Sequence, residues 1–231
     1  MKCSVVIPAY NEARRLPTTL AGWGTFLAGQ AFDSELIVVD DGSRDETASI
    51  AAASARVIRL SPNRGKGGAV KAGVLAAQGD VIAYVDADMN IAPSYLSQAV
   101  SLLESGADLV AGQRNLSEYA AAEGPVRLAA GGLVQLTRRL LVISSVRDTQ
   151  CGFKVFRADL ARSVFRKTRI TSFAFDIEVL FLASRLGGRV VEMPVATTYR
   201  GESTFNVRRH LPRFLRDIVQ VRLNDLAGRY R

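Results

Sequence analysis

A chain of 231 residues with 30 Lys and Arg against 22 Asp and Glu carries a formal net charge of +8, and its 48% hydrophobic content suits one domain with a full core rather than a disordered chain. Two cysteines give neither a disulfide framework nor zinc spacing, no window reaches the ~18 uncharged apolar residues of a spanning helix, and Val5-Val6-Ile7 meets Pro8 too soon for a signal peptide. The expectation is a protein of a reducing compartment, soluble or peripheral, whose positive charge asks for an anionic partner: nucleotide, nucleic acid or membrane surface.

A first strand is expected over residues 3–7, broken by the turn Pro8-Ala9-Tyr10-Asn11-Glu12, with a helix from Ala13 towards Ala28. A second buried strand over 36–40 ends in Asp40-Asp41-Gly42-Ser43, and the helix after it, 45–54, opens with Asp45 and Glu46 at the positive end of its dipole. Residues 56–60 read as a third strand, followed by Asn63-Arg64-Gly65-Lys66-Gly67-Gly68 and a helix to Ala77. The apolar run Val81-Ile82-Ala83-Tyr84-Val85 is a fourth strand that stops at Asp86-Ala87-Asp88-Met89-Asn90. Strands alternating with helices at this spacing predict a mostly parallel sheet, and ligands in such sheets bind outside the carboxyl ends of the strands. All four polar clusters lie at such ends. The second half is less regular: a helix over 94–104, a strand over 108–112 leading to Gln113-Arg114-Asn115, and an amphipathic stretch over 126–143. The segment Asp148–Arg157, a helix over 175–186, a strand over 189–193, a polar loop over 198–206 and a basic helix complete the chain.

Side chains two apart on extended chain share a face, so Asp86, Asp88 and Asn90 can converge on one point. Two adjacent carboxylates raise each other's pKa unless a cation lies between them, and oxygen ligands suit Mg²⁺ or Mn²⁺ completed by substrate phosphates. The pattern alone fits a solvated Asp-rich turn equally well. Gly65, Lys66 and the helix start behind them attract anions without matching a P-loop, and a plain glycine-rich helix entry explains them as well. Asp40 and Asp41 could accept hydrogen bonds from a base and ribose hydroxyls or simply brace a turn. The chain has one histidine, His210 in the basic tail, so a general base for an alcohol acceptor is not evident. A phosphate monoester, with its second pKa of ~6, needs none.

Taken together, Val5-Val6-Ile7-Pro8-Ala9-Tyr10-Asn11-Glu12, Val39-Asp40-Asp41-Gly42-Ser43, Asn63-Arg64-Gly65-Lys66-Gly67 and Asp86-Ala87-Asp88 resemble the ordered motifs of family 2 glycosyltransferases of GT-A fold. Asp148-Thr149-Gln150-Cys151-Gly152-Phe153-Lys154 and Phe175-Asp176-Ile177-Glu178 narrow the resemblance to the polyprenyl-phosphate (dolichyl-phosphate) sugar synthases, particularly the glucosyl branch. The resemblance implies an α/β, Rossmann-like single domain, a mostly parallel central sheet with helices on both faces, plus peripheral amphipathic helices. The catalytic domain would span 1–206, with an interfacial helix and acceptor region within 116–146, and 207–231 would be a basic amphipathic helix.

By the same resemblance, Pro8, Tyr10, Asn11, Glu12, Asp40, Asp41, Gly65, Lys66, Asp86 and Ala87 would hold the donor. Asp86, Asp88 and Asn90 would hold Mg²⁺ or Mn²⁺, although Asn90 stands where relatives often carry Gln, on a shorter arm. Arg114, Arg127, Arg200 and Ser203 would receive the acceptor phosphate, and Asp88, Arg114, Asp148 and Asp176 would be the catalytic set. Internal salt bridges to arginines are an equal reading for Asp148 and Asp176. The expected activity is inverting transfer of a hexose, glucose from UDP-glucose first, to a polyprenyl phosphate, on the cytoplasmic face of a membrane. GDP-mannose, a UDP-N-acetylhexosamine or a soluble saccharide acceptor are the alternatives. A homo-oligomer is left open. Nucleic-acid binding is not expected, because paired carboxylates repel a phosphate backbone.

Overall fold

The computed structural model of the chain describes residues 1–115, 146–198 and 207–231, with positions 132, 134, 136, 137 and 142 between them; for 207–210 it describes the backbone alone. Seven strands form one sheet: β1 (Lys2–Ala9), β2 (Asp33–Asp40), β3 (Arg56–Arg59), β4 (Val81–Val85), β5 (Leu109–Arg114), β6 (Phe153–Arg157) and β7 (Val190–Val195), in the order β3-β2-β1-β4-β6-β5-β7. The described helices are α1 (Leu16–Ala28), α2 (Thr47–Ala52), α3 (Lys66–Ala76), α4 (Tyr95–Glu104), α5 (Ala158–Lys167), α6 (Phe175–Arg185) and α7 (Val207–Leu226).

The central strands are apolar at nearly every position because both faces are covered. Successive side chains point to opposite faces. Val6, Ile37, Val39, Ile82 and Tyr84 therefore join a core with α3, α5, α6 and α7. Cys3, Val5, Ile7, Val38, Ala83 and Val85 join a second core with α1 and α4.

The chain steps outward from β1 to β2 to β3, then returns through α3 to place β4 on the other side of β1. This reversal opens a crevice at the carboxyl ends of β1 and β4, where a wound sheet binds its ligand. β1 pairs in parallel with β2 and β4, and β5 with β7, whereas β6 runs antiparallel between β4 and β5. The antiparallel course puts the start of β6, not its end, on that same edge: Phe153 lies opposite Val85. The segment 148–152 thus arrives beside Asp86.

Two elements went unassigned in the sequence reading, β6 and α5. Several bounds also moved: α1 opens at Leu16 with Pro17 in its first turn, where proline loses no helical hydrogen bond. The tail is also less separate than its basic composition implied. Phe214, Ile218, Val221 and Tyr230 belong to the same core as α3 and α6, so residues 211–231 are continuous with the domain. The amphipathic stretch expected over 126–143 lies almost wholly outside the described residues; within it Val134 and Val142 touch the core and Leu136 is exposed. Among the described residues no helix is long and apolar enough to cross a membrane.

Candidate active site

The turn after β4 is held from below. Thr19 on α1 donates its hydroxyl proton to the Ala87 carbonyl at 2.7 Å, and Met89 takes a left-handed φ of 56° so that the chain reverses there. Asp86, Asp88 and Asn90 line one cleft with Trp23, Met89 and Arg114. Asp88 accepts two hydrogen bonds from Asn90, from the backbone N–H at 3.1 Å and from Nδ2 at 2.6 Å. Burial, and then the charge of Asp86, raise the Asp88 carboxyl above its usual range. Lys66, the first residue of α3, sends its ammonium to Asp86 Oδ1 at 2.6 Å. Burial alone would lower the Lys66 pKa, but the carboxylates of Asp86 and then Asp176 outweigh it and raise it. Gly65 adopts φ 80° ahead of it, and a Cβ there would press on the Thr171 carbonyl oxygen.

This donor set fits a hard cation. Asn90 Oδ1 is buried with no hydrogen-bond partner, and a positive side chain already sits on Asp86. Among the described residues no group of three His, Cys, Asp or Glu side chains is placed to hold a metal ion. Two carboxylates and an amide carbonyl therefore leave a cation needing further oxygens, as Mg²⁺ sites completed by phosphates do.

Arg114 ends β5 on the opposite wall. Its Nε and Nη2 grip Asp148 at 2.7 and 3.0 Å, and its backbone N–H donates to the same carboxylate. Burial would raise the Asp148 carboxyl, but the Arg114 hydrogen bonds and charge hold it below the usual range. Glu192 on β7 accepts the N–H groups of Arg147 and Asp148, fixing the segment from behind. Asp176 lies deeper still: its Oδ1 accepts from Lys154 Nζ at 2.6 Å and from the Tyr84 hydroxyl at 2.7 Å. Asp148 and Asp176 are thus both in internal ion pairs, and the partner of Asp176 is a lysine rather than an arginine.

The remaining donor-side residues form a second group along the β1 and β2 ends. Asn11, at φ 55°, ties the two loops: its N–H donates to Ser43 Oγ and its Oδ1 accepts from the Arg44 N–H. Tyr10 is exposed beside it, and Pro8 is half-buried. Glu12 is gripped by Arg15 through both carboxylate oxygens. Asp40, fully buried, accepts the Ser43 N–H and faces Arg59 Nε at 3.4 Å. Asp41 accepts the Arg64 N–H at 2.7 Å, and burial with the neighbouring Asp40 charge raises its pKa. Both carboxylates therefore brace the loops, and both are buried. Arg127, Arg200 and Ser203, expected at the acceptor phosphate, lie outside the described residues.

Sequence reasoning passed over Gly152 and Lys154 as individual residues. A Cβ on Gly152 would collide with the Asp86 carboxylate, and its carbonyl accepts the Asp86 N–H. A lysine flanked by Phe153, Val155 and Phe156 was the available signal, since a charge inside an apolar run implies a buried partner.

The chain matches the profile described as "Glycosyl transferase family 2" over residues 4–165. It belongs to that family. Proteins named dolichyl-phosphate beta-glucosyltransferase are similar along nearly the whole chain: the Dictyostelium discoideum protein is 32% identical over 97% of this chain and 75% of its own length. The Drosophila melanogaster protein is 33% identical over 100% and 77%, and the human one 30% identical over 99% and 77%. Among solved structures, glucosyl-3-phosphoglycerate synthase from Mycobacterium tuberculosis, in complex with Mn²⁺, UDP-glucose and phosphoglyceric acid, superposes with a TM-score of 0.74 at 23% identity, covering 99% of this chain and 79% of that one. The GT-A-like architecture expected from the sequence motifs is borne out by that likeness, and the chain is a glycosyltransferase.

Proposed function

We propose that this family 2 enzyme transfers glucose from UDP-glucose to a polyprenyl (dolichyl) phosphate, with a divalent cation at Asp86, Asp88 and Asn90. The observation that carries the reading is one cleft lined by both the Asp86–Asp88 pair and Arg114. Two anionic reactants, a sugar diphosphate and a phosphate monoester, must approach each other there, so cationic groups are needed on both sides.

In the reaction an acceptor phosphate oxygen attacks C1 of the glucose, the C1–O bond to UDP breaks, and its electron pair leaves with UDP. One displacement inverts C1, consistent with the beta linkage in the relatives' names. The nucleophile is already largely dianionic near neutral pH, so no side chain has to take its proton. Arg114, clamped by Asp148, presents a fixed guanidinium to the acceptor side. Lys66 neutralises Asp86 and stands beside the donor diphosphate. A divalent cation, when bound, supplies further positive charge to offset that of the diphosphate. The peripheral association with anionic lipid that such an acceptor requires is part of the same proposal.

The test is transfer of labelled glucose from UDP-glucose to dolichyl phosphate with Mn²⁺ or Mg²⁺, read as label extracted into organic solvent. GDP-mannose and UDP-N-acetylglucosamine serve as competing donors and phosphoglyceric acid, named for the fold relatives, as competing acceptor. Transfer should be lost in excess chelator. Label appearing only on phosphoglyceric acid, or chelator-resistant transfer, would overturn the acceptor or the cation respectively.

A further inference from the structure

We propose that Lys154, buried in the middle of the sheet, is a positioning residue of this transfer: its ammonium pins the 149–152 loop and through it sets both the Asp86 and the Arg114 sides of the cleft. The inference rests on the proposed function only for its kinetic readout.

A lysine at 0% exposure inside a sheet must satisfy three N–H donors without water. Lys154 Nζ does so with the carbonyls of Thr149 at 3.2 Å and Cys151 at 2.9 Å and with Asp176 Oδ1 at 2.6 Å. Neutralising Asp176 would take only one of those bonds; the other two reach back from the strand to the loop that precedes it. That loop carries what the cleft depends on. At one end Asp148 clamps Arg114 through its side chain and accepts the Arg114 N–H at 3.1 Å. At the other, the Gly152 carbonyl accepts the Asp86 N–H at 3.1 Å, and the bare Cα of Gly152 leaves room for the Asp86 carboxylate. A displacement of a few tenths of an ångström in 149–151 therefore moves the cation-side carboxylate and the acceptor-side arginine together. The same ammonium holds Asp176, whose charge acts in turn on Lys66. The three elements β4, β6 and α6 meet at Asp176 Oδ1, which accepts from both the Lys154 ammonium and the Tyr84 hydroxyl. An ion pair that served stability alone could satisfy its remaining donors anywhere nearby; here both go to the one loop that joins the Asp86 and Arg114 sides.

That difference makes the inference testable. Lys154→Met leaves Asp176 charged and buried, and that protein is expected to lose stability or fail to fold. Lys154→Met/Asp176→Asn removes both charges and is the informative variant, read against Asp176→Asn alone. Asp176→Asn alone leaves the Lys154 ammonium buried without its carboxylate, so the double variant should melt at or above the temperature of Asp176→Asn. Its Asp86 and Arg114 backbone amides should exchange with solvent deuterium at least tenfold faster, while amides within β1 and β2 are unchanged. Turnover should fall at least tenfold in kcat, with less than threefold change in the KM for UDP-glucose. Unchanged exchange at Asp86 and Arg114 in a folded double variant, or turnover equal to Asp176→Asn, would overturn it. Should the wild-type chain transfer nothing between the proposed substrates, the proposed function falls, and the amide exchange, which needs no substrate, still decides the role of Lys154.

Discussion

Arg114 shows how much of a residue's surroundings can be hidden from the sequence. In a chain with 30 Lys and Arg, a single arginine is most simply a solvated charge, and its place after a strand was the one sign against that. Its side chain is 19% exposed and its partner Asp148 is 3% exposed, so truncating it does not remove a free surface cation. Arg114→Met should cost about 3–5 kcal/mol, because it strands a buried carboxylate. Arg114→Met/Asp148→Asn should recover most of that stability and still lose transfer. Acid adds a second check. The folded Asp148 pKa lies below its unfolded value of ~3.9. Its contribution is therefore complete above the unfolded pKa and is lost as pH falls through the folded one. Between pH 6 and pH 2 the wild-type melting temperature should fall more steeply than that of the double variant, and parallel curves would remove Asp148 from the account. The carboxylate pair Asp86 and Asp88 was legible because an apolar run ended on it abruptly. Gly152 was not, since the reason for a missing side chain is the neighbour it would strike, and that neighbour is 66 positions away in the chain.

At the scale of elements, β1 to β4 and their turns could be read because each apolar run is closed by Gly, Pro, Asn or Asp. β6 and α5 lack such punctuation: Arg157 ends the strand and Ala158 begins the helix with nothing between. The central Lys154 of β6 becomes intelligible as strand only with Asp176, 22 residues on. The helix α5 buries Ala158, Ala161, Val164 and Phe165, a stripe half made of alanines and so faint by composition. The opposite error occurred at α7, where basic residues at helical spacing drew attention to its outer side. Phe214, Ile218 and Val221 face the core, and Tyr230 donates to Glu178, which also accepts the N–H groups of Arg169 and Ile170. Ile218→Ala should accordingly cost about 2–5 kcal/mol and lower the melting temperature by roughly 5–15 °C. Truncation after Asn206 should abolish cooperative unfolding altogether. A truncated protein that melts like the intact one would show that α7 is dispensable to the core.

For the whole molecule, the proposed acceptor raises the question of which surface would meet a lipid bilayer. The buried face of α7 is spoken for, and the outer face is left. On it Val219, Leu223 and Leu226 are 39%, 51% and 70% exposed, at steps of four and three, which places them in one line along the helix. Arg213, Arg216 and Arg222 flank that line with 61%, 73% and 45% of their side chains in solvent. The tail 208–231 holds seven arginines against Asp217 and Asp225. Both of those carboxylates are buried, at 8% and 7% exposure, and pair with Arg213, Arg216 and Arg222, so the positive excess of the tail is its formal balance of seven arginines over two aspartates. Each basic residue near anionic lipid contributes about 1 kcal/mol, and an apolar line of this kind adds burial at the headgroup boundary. The intact chain should therefore co-sediment with phosphatidylserine vesicles at low salt, release as salt shortens the Debye length, and ignore neutral vesicles. Leu223→Asp/Leu226→Asp should weaken binding at every salt concentration, because it removes the apolar part. Arg216→Gln/Arg222→Gln should flatten the salt dependence, because it removes part of the charge. None of these positions lies in the core, and in the arginine pair Asp217 keeps Arg213 and Ser172 while Asp225 keeps Arg185, so folding should survive each pair. If the intact protein stays in the supernatant with anionic vesicles at low salt, α7 is not the docking surface, and access to a lipid-borne acceptor has to come from another face of the molecule.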